Sequence, residues 1–406
     1  MKFIKYLYFP IYFLACLSCK KGESETLDSY VVLVSFDGFR WDYSDMYNTP
    51  NFDDLAKDGV KADRMIPSFP TKTFPNHYSL ATGLYPDNHG IINNSFYASD
   101  LDGIYRIGDR DMVRDPKAYF GEPIWVTAEI QGVKSASYFW VGSEAPIKDT
   151  YPTYWKTYDG GIPYIKRVDQ VIDWLELPVS KRPGLITLYF DEPDGTGHRY
   201  GPEHDSTAGL VEYLDSVLGY LRDELSRLDY GDRINLIVLS DHGMAPISPD
   251  RYVNLYDHLE EEWLEMLIGG NPVYLIDAME GYEERITGAL NGVEGVSAWQ
   301  EDEIPEHFNY GSSPRFPDVL VVADSSWSIG TRTDAEGYSG GAHGYDNHNS
   351  HMQTIFYAEG PAFKEGYTSP AFQNVEVYGI IAHILGLEPA QTDGNLSIVR
   401  EMFSDN

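Results

Sequence analysis

Cysteine is almost missing from this sequence: of 406 residues, only Cys16 and Cys19 carry a thiol. Both fall in the first apolar stretch. If that stretch is processed and one thiol modified, the domain that follows can form neither disulfides nor thiolate metal sites. Its stability then rests on a core, which a chain of this length can build. Basic residues are also scarce, with 30 Lys and Arg against 63 Asp and Glu, a formal charge of −33. That balance excludes binding of nucleic-acid polymers or anionic membranes through a broad positive field. It does not exclude a small anionic substrate, because bound cations reverse the sign locally. Internal repeats and low-complexity blocks are absent too.

No apolar run is long enough to span a bilayer comfortably. The longest, "YLYFPIYFLACLS", is short and broken by Pro10. Lys2 and Lys5 precede it, which is the layout of an export signal. It ends in "LSC" followed by the polar "KKGESET". A small residue before a cysteine and a polar tether after it resemble a bacterial lipobox. The expectation is a signal over residues 1–19 with Cys19 lipidated after Ser18, and a tether over 20–29. Cys16 after Ala15 is the alternative acceptor, and a plain secretory signal or anchor helix the alternative segment. The expected setting is a periplasmic or cell-surface protein held to the membrane by lipid alone.

Three runs, "YVVLVSFDG" (30–38), "GLITLYFDEPDG" (184–195) and "INLIVLSDHG" (234–243), are continuously apolar and stop abruptly in acidic or glycine-rich turns. Unalternated runs of this length suit strands covered on both faces. Between them, Leu210, Leu214, Val217, Leu218, Leu221, Leu225 and Leu228 recur at steps of three and four and predict a helix. "RVDQVIDWL" (167–175) predicts another. Alternating strands and helices predict an α/β fold with a doubly wound, mostly parallel sheet flanked by helices. "NPVYLIDA", "YEERITGALNG" and "DVLVVAD" read as a small α+β subdomain inserted at about 247–335 within a domain covering 30–406.

In open α/β sheets ligands bind beyond the carboxyl ends of the strands. Here those ends supply Asp37, then Asp194 and His198, then Asp241 and His242, and the late turn "GGAHGYDNH" adds His343. Each alone has an ordinary reading as a turn or solvated loop. Together, three aspartates and three histidines at one edge suit two divalent ions such as zinc. "PSFPTKTFPNHYSLATGLYPDNHG" (67–90) places Thr73 near the N-cap of a predicted helix that stops at Gly83, with Pro75 in its first turn. Thr73 is either a cap or a nucleophile where free N–H groups attract phosphate.

"SFDGFRWDY", "PTKTFPNHYSLATGLYPDNHGIINN", "PIWVTAEIQG", "DEPDGTGHRYGP", "SDHGM" and "AHGYDN…MQTIFYAEGPAFK" resemble, in order, the nucleotide pyrophosphatase/phosphodiesterase family of the alkaline phosphatase superfamily. The resemblance runs from about Tyr30 to the C-terminus and implies an alkaline-phosphatase-like fold and two zinc ions per chain. It implies Thr73 as nucleophile, with Asp37, Thr73, Asp241 and His242 on one ion and Asp194, His198 and His343 on the other. Asn94, rather than Asn93, matches the donor to a phosphate oxygen. Phe74 and Tyr158 match positions where an aromatic pair would sandwich a base, and Lys72 adds a positive charge near phosphate. The lysine that some nucleotide-cleaving relatives carry after the asparagine is Ser95 here. His77, His89, His204, His348 and His351 receive no role, and His77 and His89 read as structural.

The activity so implied is a type I phosphodiesterase acting on nucleoside 5′-phosphodiesters and pyrophosphates, releasing nucleoside 5′-monophosphates through a threonyl intermediate. A lysophospholipid or choline-phosphodiester hydrolase on the same scaffold stays open. A phosphomonoesterase needs further cationic contacts to its dianionic substrate, and a sulfatase lacks a cysteine outside the signal. The non-enzymatic alternative is a surface lipoprotein that binds its ligand in an aromatic cleft.

Overall fold

The computed structural model describes Leu27 and residues 29–404. The signal reading and both cysteines lie outside the described residues. The twelve strands that build the two main sheets begin with β1 (Tyr30–Phe36), β2 (Val60–Ala62), β3 (Ser135–Tyr138) and β4 (Tyr154–Lys156). They continue with β5 (Leu185–Phe190), β6 (Ile234–Leu239), β7 (Leu264–Gly270), β8 (Val273–Ala278), β9 (Val296–Gln300), β10 (Val319–Ala323), β11 (Phe356–Glu359) and β12 (Tyr367–Ser369). The larger sheet has eight strands in the order β12-β2-β11-β6-β1-β5-β3-β4. From β6 to β4 the pairing is parallel, whereas β11 runs antiparallel to both β6 and β2.

The unbroken apolar runs follow from two-sided burial. Val31 and Leu33 of β1 enter one core, and Tyr30, Val32, Val34 and Phe36 enter another on the opposite face. The first core is closed by helices α1 (Thr73–Thr82) and α6 (Glu376–Ile384), which contribute Tyr78, Leu80, Val377 and Ile381. The second is closed by α2 (Tyr164–Leu175) and α4 (Asp205–Ser226) through Val168, Val171, Leu214 and Leu218. Helices on both faces of a mostly parallel sheet are the expected fold class. The α4 face departs slightly from the periodic reading: Leu210 is only half-buried, and Leu228 lies beyond the helix end.

A second sheet, β7-β8-β10-β9, is wholly antiparallel, with α5 (Glu283–Leu290) beside it and a buried cluster that includes Ile276, Ile286, Leu290 and Val321. The sequence reading singled out β8, α5 and β10. It passed over β7 and β9, whose "LEMLIGG" and "VSAWQ" mix apolar and polar residues without a clear period.

Candidate active site

Register fixes where the acidic turns emerge. Ser35 lies opposite Leu239 and Phe36 opposite Phe190 in parallel pairing, so β1, β5 and β6 release their C-terminal turns at one sheet edge. The turn after β1 needs Gly38, at φ +72°, because a Cβ there would sit 2.9 Å from the Asp194 Cα. The Asp194 N–H donates to the Asp37 carbonyl at 3.0 Å, which draws the two turns together.

His242 is the hub of the first group. Its Nε2 lies 3.3 Å from Asp37 Oδ1, 3.2 Å from Asp241 Oδ2 and 3.2 Å from Thr73 Oγ1. The second group gathers on α3 (Asp194–Tyr200), where Asp194 Oδ1 is 3.3 Å from His198 Nε2 and 3.6 Å from His343 Nε2. The spacing of four residues puts Asp194 and His198 on one face of that helix. The rings of His242 and His343 stack at 3.5 Å and join the two groups. All seven residues expected to bind metal therefore meet at one place.

Each histidine is fixed in one orientation by a backbone carbonyl. The Nδ1–H groups of His198, His242 and His343 face the carbonyls of Gly341, Gly243 and Thr71 at 2.8, 2.9 and 2.8 Å. That arrangement presents Nε2 as the free electron pair, the usual outer support of a metal-binding imidazole. Asp37 Oδ1, Asp194 Oδ1 and Asp241 Oδ2 are buried without a hydrogen bond. Orphaned buried carboxylate oxygens are costly unless a cation meets them. The donor set, oxygen and imidazole nitrogen only, fits two zinc-class divalent ions.

The electrostatics agree. Burial, then the charges of Asp241 and Asp194, push Asp37 upward. Asp241 is buried too, yet His242 and His77 hold it low. Burial opposes a charge on His242, but the facing aspartates outweigh it and raise it. Burial and the neighbours His242, Lys72 and His198 drive His343 well down, into the neutral form that ligates.

The N-cap of α1 is Lys72 rather than Thr73, and Thr73 is the first helical residue. Its hydroxyl makes no capping bond and is turned toward His242 instead. A residue distant in sequence takes over the cap: the Asn94 side-chain oxygen accepts the Phe74 N–H at 3.0 Å. The Thr73 N–H, in the first turn, has no intrahelical acceptor and is available to an anion.

Thr73, Phe74, Asp37, Asp194 and Tyr158 line one cavity of about 420 Å³. Lys72 does not join them. It is buried, its Nζ donates to the Asn271 carbonyl at 2.7 Å, and burial lowers its pKa to about 8. Its charge still reaches the site, where it acts on His343 and Asp194.

The structure shows what the structural His77 holds and adds an ion pair that the sequence reading did not name. His77, read as structural, has its Nδ1 3.0 Å from the Thr73 carbonyl and 3.3 Å from Asp241 Oδ2, while Ser35 Oγ meets its Nε2 at 2.9 Å. It ties the helix that begins at Thr73 to the turn that carries Asp241. Its position four residues after Thr73 was the available signal, since that spacing faces back toward the helix start. The cavity wall also holds Arg110 and the buried Glu144, which pair directly; Glu144 also accepts Arg114 at 3.2 Å and the Tyr158 N–H at 3.0 Å. No local pattern marks either as part of a site.

A hydroxyl at a helix start, facing two Asp/His groups at the C-terminal edge of a doubly wound sheet, places the chain in the class of metal-dependent phosphoryl-transfer proteins. Residues 31–346 match the model of the type I phosphodiesterase / nucleotide pyrophosphatase family, and the chain belongs to that family. It is 38% identical over 378 residues to venom phosphodiesterase CdcPDE of Crotalus durissus collilineatus, covering 90% of this chain and 45% of that protein. It is 34% identical over 409 residues to mouse ectonucleotide pyrophosphatase/phosphodiesterase family member 7, covering 95% of this chain and 90% of the relative. The chain spans about half the length of several curated relatives it matches. Among solved structures, murine ectonucleotide pyrophosphatase/phosphodiesterase 5, as an inactive threonine-to-alanine variant with AMP, superposes with a TM-score of 0.88 at 34% identity. That match covers 93% of this chain and all of the other (100%).

Proposed function

We propose that the chain is a zinc-dependent phosphodiesterase that hydrolyses nucleoside 5′-phosphodiesters and pyrophosphates to nucleoside 5′-monophosphates. The observation that carries this reading is the shared cavity, which sets the Thr73 hydroxyl and the carboxylates of Asp37 and Asp194 against two aromatic side chains, Phe74 and Tyr158. AMP bound by the murine relative supports a nucleotide as the occupant. Asp37, Thr73, Asp241 and His242 would hold one zinc, and Asp194, His198 and His343 the other. Bound zinc would supply Lewis-acid neutralisation of charge on oxygen.

The remaining work falls to the chain's own residues. The Thr73 oxygen, its proton passed to solvent, attacks phosphorus in line, the leaving oxygen departs from the opposite side and takes up a proton, and a nucleotidyl-threonine phosphodiester results. The Thr73 N–H and the Asn94 amide nitrogen donate to the non-bridging oxygens as charge builds on them. Phe74 and Tyr158 hold the nucleoside substituent. Water then breaks the ester between Thr73 and phosphorus, which releases the nucleoside 5′-monophosphate and restores the hydroxyl.

A choline-diester substrate would call for carboxylates free to face a quaternary ammonium. The other acidic residues lining this cavity are committed: Glu144 to Arg110 and Arg114, and Asp191 to Arg167 at 2.8 Å. That favours the nucleotide.

The test is nitrophenol release from the p-nitrophenyl ester of thymidine 5′-monophosphate, p-nitrophenyl phosphorylcholine and p-nitrophenyl phosphate by zinc-loaded protein. Preference for the thymidine ester is expected, and preference for the choline ester would overturn the substrate class. A Thr73→Ala chain is expected to be inert toward all three. Turnover by that chain would refute the nucleophile.

We also propose export and lipid anchoring through Cys19. No helix among the described residues is long and apolar enough to cross a membrane. Incorporation of labelled fatty acid, lost in Cys19→Ser, is the expected result; loss only in Cys16→Ser would reassign the acceptor.

A further inference from the structure

Away from the active site, His307, Asp346 and His348 bring one donor atom each within 4.8 Å of the others. His307 Nε2 lies 3.0 Å from Asp346 Oδ1 and 3.1 Å from Oδ2. The two imidazoles stack at 4.1 Å with planes 15° apart. In the Asp194, His198 and His343 group, whose donor atoms also lie within 4.8 Å of one another, the carboxylate-to-imidazole distances are 3.3 and 3.6 Å.

A simple His–Asp hydrogen bond would need only one of the histidines. The second is placed by its own loop: the His348 N–H donates to Asp346 Oδ1 at 2.7 Å, which orients the carboxylate. Such a backbone bond to a carboxylate is the outer support that metal-binding aspartates use. On the other side, His307 sits in the short turn Glu306–Phe308, and Phe308 stacks on Phe69 at 3.9 Å with planes 6° apart. Both walls of the cluster are therefore held in place. A divalent cation among the three side chains would meet the carboxylate charge and both imidazole donors.

We infer that His307, Asp346 and His348 form a third divalent-metal site, independent of the two at Thr73 and suited to a zinc-class ion. Two nitrogens and one carboxylate oxygen are borderline donors that select transition metals over calcium or magnesium. The site is half-exposed, with side-chain exposures of 32% for His307 and 45% for Asp346. Asp346 and His348 also line a cavity of about 480 Å³, so water completes the coordination. Asp346 follows His343 by three residues in the same loop. An ion here would clip that loop to the 305–308 segment from the outer side.

The test is equilibrium dialysis of the purified full chain against micromolar zinc, with bound metal counted by atomic emission. His307→Gln, His348→Gln and the isosteric Asp346→Asn are each expected to bind one zinc per chain fewer than the unmodified protein. Turnover of the thymidine ester should persist in all three, and near-ultraviolet circular dichroism checks that each has folded. Equal zinc content in the unmodified protein and all three variants would overturn the site. So would a loss of zinc seen only in a His198→Ala chain. Because the readout is the difference in bound metal, it stands whether or not the thymidine ester is the substrate.

Discussion

The side-chain oxygen of Asn94 accepts the backbone N–H of Phe74 at 3.0 Å, so the residue proposed to hold phosphate also caps the helix that presents Thr73, the proposed nucleophile. One side chain thus does two things: its oxygen orders the helix start, and its Nδ2 is left to donate. Asn94→Ala removes both and is expected to lower kcat by about 10²–10³, the usual effect of losing one oxyanion donor. Asn94→Asp keeps an acceptor for Phe74 but sets a carboxylate against the phosphate. It should therefore retain the melting temperature and lose at least as much kcat. Steady-state kinetics beside thermal melts separate the two roles.

Phe74 and Tyr158 line the cavity that holds the Thr73 hydroxyl. Truncating either to Ala is expected to raise KM for the thymidine ester by roughly 5- to 100-fold, the range of one base–aromatic contact. The effect on p-nitrophenyl phosphate, which has no base, should be small. Equal losses on both esters would remove the base-stacking role.

Lys72 donates from its Nζ to the Asn271 carbonyl and is not among the residues that line the Thr73 cavity. Lys72→Met leaves that carbonyl short of a donor at a cost of about 1–3 kcal/mol. The expected outcome is a lower denaturation midpoint with KM nearly unchanged. A large rise in KM with full stability would instead return Lys72 to the phosphate.

Glu376, at the first turn of α6, is buried and accepts the Asn395 N–H; burial raises its pKa from 4.5 to about 7 despite that hydrogen bond. Between those values the folded chain holds a proton that the unfolded chain has released. Stability from this group is therefore full below about 4.5 and is lost as pH rises through about 7. Glu376→Gln, which keeps an acceptor and cannot ionise, should melt higher than the unmodified protein at pH 8 and no higher at pH 4. Melting temperature against pH for the two chains reads this directly, with a gap at pH 8 of roughly one to a few degrees.

Much of this architecture is legible locally. Continuous runs such as "INLIVLSDHG" announce two-sided burial, because every residue of such a strand meets a core. A polar turn after a buried parallel strand is forced to one sheet edge, which is why Asp37 and Asp241 could be placed together before any geometry was known. The mixed strands β7 and β9 left no such trace, because their residues alternate between contact and solvent without a clean period.

The sequence by itself determined the central buried strands, the ordered motifs of the family and the seven side chains, His242 among them, that converge at one sheet edge. Only the tertiary structure decided that Asn94 caps α1, that Lys72 turns away to Asn271, that His77 braces Asp241, and that His307 meets Asp346 and His348. The physical reason is the range of the information. Burial patterns and strand ends are written in neighbouring residues. Which way a side chain turns depends on partners far off in the chain, 39 residues away for His307 and Asp346 and 199 for Lys72 and Asn271.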